Sequence, residues 1–171
     1  MPHVSGLAMQ LTKQVGEYRV AAELARRGLL SAAFGGSVPH FDIVASGQHG
    51  GHIPVQVKAV ATGNWQFDVR SFVDITFDGD TQVLGAVKNA PYPGLVYVFV
   101  RVDPQGDDDF FIVDWATLAN AIHTGHKDYL AAHGGIRPRR PHSTHGAFAF
   151  SRLEEFRDKW DTILDRLPGP A

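Results

Sequence analysis

Two short segments rich in β-branched residues, Phe41–Ala45 (FDIVA) and Ile53–Val60 (IPVQVKAV), flank a Gly/His-rich stretch, SGQHGGH. No other feature constrains the fold of this chain as much. Such runs read as strands and the glycines between them as a turn, so the pair is expected as an antiparallel hairpin. Residues two apart in a strand face the same way. Gln56 and Lys58 therefore share one face, while Val55, Val57 and Ala59 take the other. In the first strand, Asp42 and Val44 oppose Phe41, Ile43 and Ala45. Pairing the strands brings Asp42, Gln56 and Lys58 onto one surface. Three polar groups in segments otherwise built for burial need partners or a task, because an unsatisfied buried charge is expensive.

The other elements set the frame for this hairpin. Upstream, Leu11, Val15, Tyr18, Ala22, Ala25 and Leu29 recur at the 3.6-residue period of a helix. Thr12 or Ser5 is placed to cap its start and Gly28 to end it. Arg19, Glu23, Arg26 and Arg27 form a polar stripe with i,i+4 pairs Arg19–Glu23 and Glu23–Arg27. Glu17 stands apart, on a second largely apolar face with Val20, Ala21 and Leu24. Ala32–Phe34 is a short, weak strand, and Phe67–Phe77 is a further strand region. Leu95–Val102 (LVYVFVRV) has the continuous apolar character of a strand covered on both faces. Phe110–Val113 reads as a strand, Trp115–His123 as a helix and residues 134–147 as a loop. Arg152–Leu167 reads as an amphipathic helix with Leu153, Phe156, Trp160, Ile163 and Leu167 on one side. This order predicts an α/β or α+β domain, a central mixed sheet flanked by helices.

Composition bounds the function. The chain has 171 residues, 44% of them hydrophobic, and a formal net charge of −2. That suits one globular domain spanning 1–171 and excludes disorder as the main state. No run reaches about 18 apolar residues, so no membrane span is expected. Residues 1–10 lack a basic region followed by an apolar one, so no signal peptide is expected there. There is no cysteine, which removes disulfides, thiol catalysis and cysteine-ligated metals. A cytoplasmic setting is the simplest expectation. Charge is uneven: residues 1–70 carry six Lys/Arg against four Asp/Glu, 71–128 three against nine, and 129–171 seven against five. A strongly basic footprint is absent, so contact with nucleic acid would need a local surface or a dimer that pools two.

The residues GEYRVAAEL at 16–24, FDIV at 41–44 and QVK at 56–58 resemble the PD-(D/E)XK nuclease superfamily, which has the restriction-endonuclease-like fold. The likeness covers about residues 12–60 and is nearest to the Holliday-junction-resolvase-like and Mrr-like branch. There a helix reads GE before an apolar run, and the core motif can carry Gln. In that family a helix offers a Glu, the first hairpin strand an Asp, and the second an acid or Gln, one residue, then Lys. Glu17, Asp42, Gln56 and Lys58 fall on those positions. The resemblance implies a metal-dependent endonuclease acting on DNA, in repair, recombination, restriction or mobile-element defence. It also implies Mg²⁺ or Mn²⁺ held by Asp42, Glu17, Gln56 and the Val57 carbonyl, and a homodimer. Lys58 would orient or help deprotonate the attacking water and offset charge on the phosphate. Two departures stand out. Phe41 replaces the usual Pro, which matters little. Gln56 replaces the usual acid, so the site has one negative charge fewer.

Plainer readings stand beside this one. Asp42 and Lys58 alone could form a salt bridge in a hairpin, and Glu17 could pair with Lys13 at i−4. Glu23, between Arg19 and Arg27, reads as a solvated ion-pair face. The same fold could serve as a non-catalytic nucleic-acid-binding or protein-interaction module, to which Gln56 and the acidic net charge point. A small-molecule phosphoesterase lacks support, because no Walker-type phosphate loop is present. His49 and His52, His123 and His126, and His142 and His145 tempt as zinc ligands but form no four-ligand spacing. Arg137–Arg140, with His142, is a local basic patch that reads as a solvated loop ahead of a phosphate contact. Trp65 and Phe67 read as core rather than base-stacking residues, and Asp107–Asp109 as a solvated turn.

Overall fold

The computed structural model describes residues 6–34 and 39–169. In chain order its elements are α1 (Gly6–Arg26), β1 (Leu30–Ala33), β2 (Ile43–Ser46), β3 (His52–Val60), β4 (Trp65–Asp68), β5 (Val73–Asp78), β6 (Thr81–Val87), β7 (Val96–Arg101), β8 (Asp109–Asp114), α2 (Trp115–Ala131), β9 (His145–Phe148) and α3 (Asp161–Leu164). The fold is mixed α+β. It divides into two compact units, one built from residues up to 65, 91–114 and 149 onward, the other from 66–90 and 115–148. Among the described residues, no helix is long and apolar enough to cross a membrane.

The first unit holds a five-stranded sheet in the order β1-β2-β3-β7-β8. The expected hairpin is its core: β2 and β3 pair antiparallel, with Ile43 opposite Val55 and Ala45 opposite Ile53. β3 then pairs parallel with β7, and β7 antiparallel with β8, so the sheet is mixed. Val96, Val98 and Val100 are fully buried, as the continuous apolar run of β7 predicts. One face, carrying Val55, Val57 and Ile112, packs with Val20 and Leu24 of α1 and with Trp160 and Ile163. On the other, the Trp65 ring centroid lies 4.9 Å from that of Phe99 and 4.3 Å from that of Phe150. Trp65 is thus core, as expected.

Three expectations for this unit are corrected. The first concerns α1. It ends as Gly28 foretells: Gly28 takes φ +82°, and the N–H groups of Gly28 and Leu29 bond back to Ala25 and Leu24. Thr12 lies inside the helix and bonds the Ala8 carbonyl instead of capping, while Ser5 falls outside the described residues. The face turned to the sheet is Gly16, Val20 and Leu24, whereas Leu11, Val15 and Tyr18 are 51%, 41% and 60% exposed. A helix with apolar residues on two faces does not announce which one is buried; the closer-packing face wins. Second, Asp107–Asp109 is not simply a solvated turn. Asp108, its side chain only 2% exposed, pairs with Arg19 of α1 and accepts the Asp103 N–H. Asp109 pairs with Arg101 and Arg157. Arg19 therefore does not pair with Glu23, which takes Arg26 and Arg27 instead. Third, 152–167 is not one helix. Two 3₁₀ turns, Phe150–Arg152 and Glu154–Phe156, precede α3, and Asp158 turns at φ +53°. There the Asp158 N–H bonds the Phe110 carbonyl, so the chain bonds to β8 in place of its own helix. The predicted apolar side is nevertheless buried at Leu153, Trp160 and Ile163.

The second unit is built on the antiparallel hairpin β5–β6, the pair β4–β9 and α2. The expected strand over Phe67–Phe77 is broken at Val69–Ser71, where the Asp68 side chain accepts the Arg70 N–H and starts a 3₁₀ turn. β6 and β9 were not expected, and α2 runs on past His123 to Ala131. Trp115 stacks on Phe72 at 4.8 Å and donates its indole N–H to the Lys88 carbonyl.

His126 of α2 is buried, with Nε2 2.9 Å from Gln82 Oε1. Burial, and then the charge of Arg137, holds its pKa below the ordinary 6.5. The unfolded chain therefore binds this proton first as pH falls. His126 contributes full stability above about pH 6.5, and that contribution is lost as pH drops toward the folded value. Melting temperatures measured across this range should fall less steeply with acid in His126→Gln than in the wild type. Equal slopes would refute the assignment.

Candidate functional site

The site begins with a missing side chain. α1 lies so close to β3 at Gly16 that a Cβ there would sit 2.4 Å from Ala59 Cβ. Only glycine permits this approach, and it carries the next residue, Glu17, to the end of the hairpin. Asp42 stands just before β2. Its N–H donates to the Val55 carbonyl at 2.9 Å, prolonging the ladder by one step. Its carboxylate oxygen Oδ2 accepts the Val57 N–H at 2.8 Å and the side-chain amide of Gln56. Because Ile43 is opposite Val55, the alternation places Asp42 and Gln56 on the same face. Gln56 is 8% exposed, and its Nε2 also lies 3.3 Å from the Val57 carbonyl oxygen.

Glu17 and Asp42 share one cation. The Lys13 ammonium lies 3.4 Å from the Glu17 carboxylate and 3.6 Å from that of Asp42. The two acids are 16% and 13% exposed, whereas Lys13 is 60% exposed. Burial and then the neighbouring charge of Asp42 raise the Glu17 pKa, partly offset by Lys13. Burial opposes charge on Lys13, but Asp42 and Glu17 outweigh it and raise its pKa. Lys58 is half-buried in β3, opposite Phe99 of β7. Desolvation lowers its pKa, although the charge of Asp42 pulls the other way. Its carbonyl accepts the Trp65 indole N–H at 2.9 Å.

The structure thus brings Glu17, Asp42, Gln56 and the Val57 carbonyl together at one end of the hairpin, with Lys58 on the same strand. Two residues escaped the sequence. Lys13 was legible only as a partner of Glu17 at i−4, not as a bridge to Asp42. Tyr97 is opposite Gln56 in the parallel register, and burial together with the charge of Asp42 raises its pKa. Parallel pairing across a long insertion leaves no local signal. The donor set has two carboxylates, an amide and a carbonyl, which suits a hard divalent cation such as Mg²⁺ or Mn²⁺. One geometric point matters: the amide nitrogen of Gln56, not its oxygen, faces Asp42.

The other residues singled out lie elsewhere. Among the described residues, no three His, Cys, Asp or Glu side chains gather as a metal-holding group. His52 bonds Ser46 in the hairpin turn, His142 bonds Asp80 and His145 bonds Gln66. Arg137 is tied to the carbonyls of Ser143 and His145, so one member of the basic patch braces its own loop. Phe67 packs against Phe72 and Phe148.

No protein-family model matches the sequence, and none of the curated proteins does. Among solved structures, a bacterial homing endonuclease, I-Ssp6803I, is similar at 15% identity. The alignment covers 91% of this chain and 93% of that one, with a TM-score of 0.49.

Proposed function

We propose that this chain is a metal-dependent endonuclease that hydrolyses DNA phosphodiester bonds. The observation that carries the reading is the convergence of two carboxylates on one cationic nitrogen, next to the Gln56 amide and the Val57 carbonyl of the strand that bears Lys58. Asp42 and Glu17 would hold Mg²⁺ or Mn²⁺ through carboxylate oxygens, with the Val57 carbonyl alongside. Gln56 would join them by turning its amide over to present oxygen. The bound cation supplies Lewis acidity at the phosphoryl oxygen and a more acidic water. Lys58 orients the attacking water from its ammonium and offsets charge that builds on the phosphate. Its desolvation strengthens that electrostatic role. A homodimer, pairing two such sites for two strands, belongs to the same reading; a paired enzyme linearises a plasmid where a single site only nicks it.

The test is cleavage of supercoiled plasmid and of branched DNA in Mg²⁺ and Mn²⁺, with Lys58→Ala in parallel. Wild-type cleavage that disappears in Lys58→Ala is expected. Unchanged cleavage by the variant would overturn the assignment.

A second reading, a non-catalytic nucleic-acid-binding or protein-interaction module, draws on the Gln56 amide. That amide satisfies both Asp42 and the Val57 carbonyl without any metal. Calorimetric Mn²⁺ binding that Asp42→Asn abolishes would count against it.

A further inference from the structure

We infer that Lys13 is the resident counter-cation of this site, seated between Glu17 and Asp42 where a divalent ion must bind, so that metal binds by displacing it. The inference rests on the reading of the site as a metal centre.

The sequence makes Lys13 an ordinary helix partner of Glu17 one turn away. The fold changes its role. α1 comes against β3 at Gly16, and that approach places Glu17 and the Asp42 carboxylate near the same ammonium, at 3.4 and 3.6 Å. Two mostly buried carboxylates side by side repel each other, and each is costly to leave without a counter-charge. Lys13 supplies that charge. Its head is a compact ammonium on a flexible four-carbon stem, and most of the side chain is exposed to solvent, so it can leave. A single positive charge at the rim holds the acids together weakly, since exposed pairs contribute little. A divalent cation offers twice the charge and direct oxygen coordination, so it displaces the ammonium. The observed metal affinity is then the intrinsic affinity multiplied by the fraction of time the ammonium is away. The Gln56 amide does not compete with the ammonium, because it bonds Asp42 Oδ2 while Lys13 approaches Oδ1.

The test is Mn²⁺ titration calorimetry on the metal-free protein, together with its thermal unfolding. Lys13→Met keeps the stem and the helical preference but removes the charge. Mn²⁺ binding about tenfold tighter than wild type is expected, as for an ammonium seated roughly nine-tenths of the time. The metal-free variant should also melt lower, and Mn²⁺ should raise its melting temperature by more than it raises the wild type's. Arg26→Met removes the same charge from the same helix, where Arg26 pairs with Glu23, and should change the affinity less than about twofold. Lys13→Gln repeats the test if the methionine variant folds poorly. Wild-type binding with no gain in Lys13→Met would overturn the displacement while leaving the metal centre intact. An equal gain in Arg26→Met would reduce the effect to net charge and overturn it too. Absence of Mn²⁺ binding in the wild type, and in both Lys13 variants, would overturn the metal centre itself.

Discussion

Asp42→Asn should leave the protein folded and lower divalent-dependent DNA cleavage by roughly a thousandfold or more, equivalent to about 4 kcal/mol of transition-state stabilisation. The fold survives because asparagine keeps the shape of the side chain. Its oxygen still accepts the Val57 N–H that closes the end of the hairpin, and its main chain still bonds Val55. What is lost is one of only two negative charges, since position 56 holds a neutral glutamine. Mg²⁺ bound through one or two carboxylates tolerates little further loss. Glu17→Gln should reduce cleavage less than Asp42→Asn, because Glu17 is held only from the helix and Asp42 is fixed by two hydrogen bonds of the hairpin. Circular dichroism and melting curves establish that the variants fold; plasmid conversion gives the rates. Cleavage by Asp42→Asn within tenfold of wild type would remove Asp42 from the reaction.

Gly16→Ala is expected to damage activity more than stability. In an ordinary helix this change gains about 1 kcal/mol of helical propensity. Here the new Cβ would stand 2.4 Å from Ala59 Cβ, against a normal carbon–carbon contact of about 3.5–4 Å. The helix must withdraw by about 1 Å, and overpacking of this kind typically costs ~1–3 kcal/mol. The two effects nearly offset at the low end of that range, so the melting temperature should fall by only a few degrees. The site fares worse, because Glu17 and Lys13 ride on the same helix. A displacement near 1 Å at a reacting centre costs about a hundredfold in rate. Ala59→Gly removes the clashing methyl, and the double variant Gly16→Ala/Ala59→Gly should recover most of the activity. Failure of the double variant to recover, with the single variant impaired, would show that Gly16 matters for some reason other than this contact.

Much of the site was legible because strand geometry is local. Alternation put Asp42, Gln56 and Lys58 on one face, and the glycine-rich turn between the strands set a hairpin whose register places Asp42 beside Gln56. The continuous apolar run of β7 announced a strand buried on both sides. Helical periodicity was less informative. Leu11, Val15 and Tyr18 satisfied the 3.6 period as well as Gly16, Val20 and Leu24 did, yet they lie exposed. The C-terminal segment showed the same weakness: its buried residues were correctly grouped, but a bond from Asp158 to Phe110 replaced the continuous helix.

The sequence by itself determined the hairpin, its polar face and the residue types able to do metal-assisted chemistry, since all of these follow from neighbours within one strand pair. The tertiary structure alone decided which face of α1 meets the sheet, that Lys13 bridges Glu17 and Asp42, that Tyr97 lies beside Gln56, and that Asp108 anchors Arg19. Each of these depends on how closely surfaces distant in the chain can approach. At Gly16 that distance is set by the absence of a single methyl group, which no periodic pattern records.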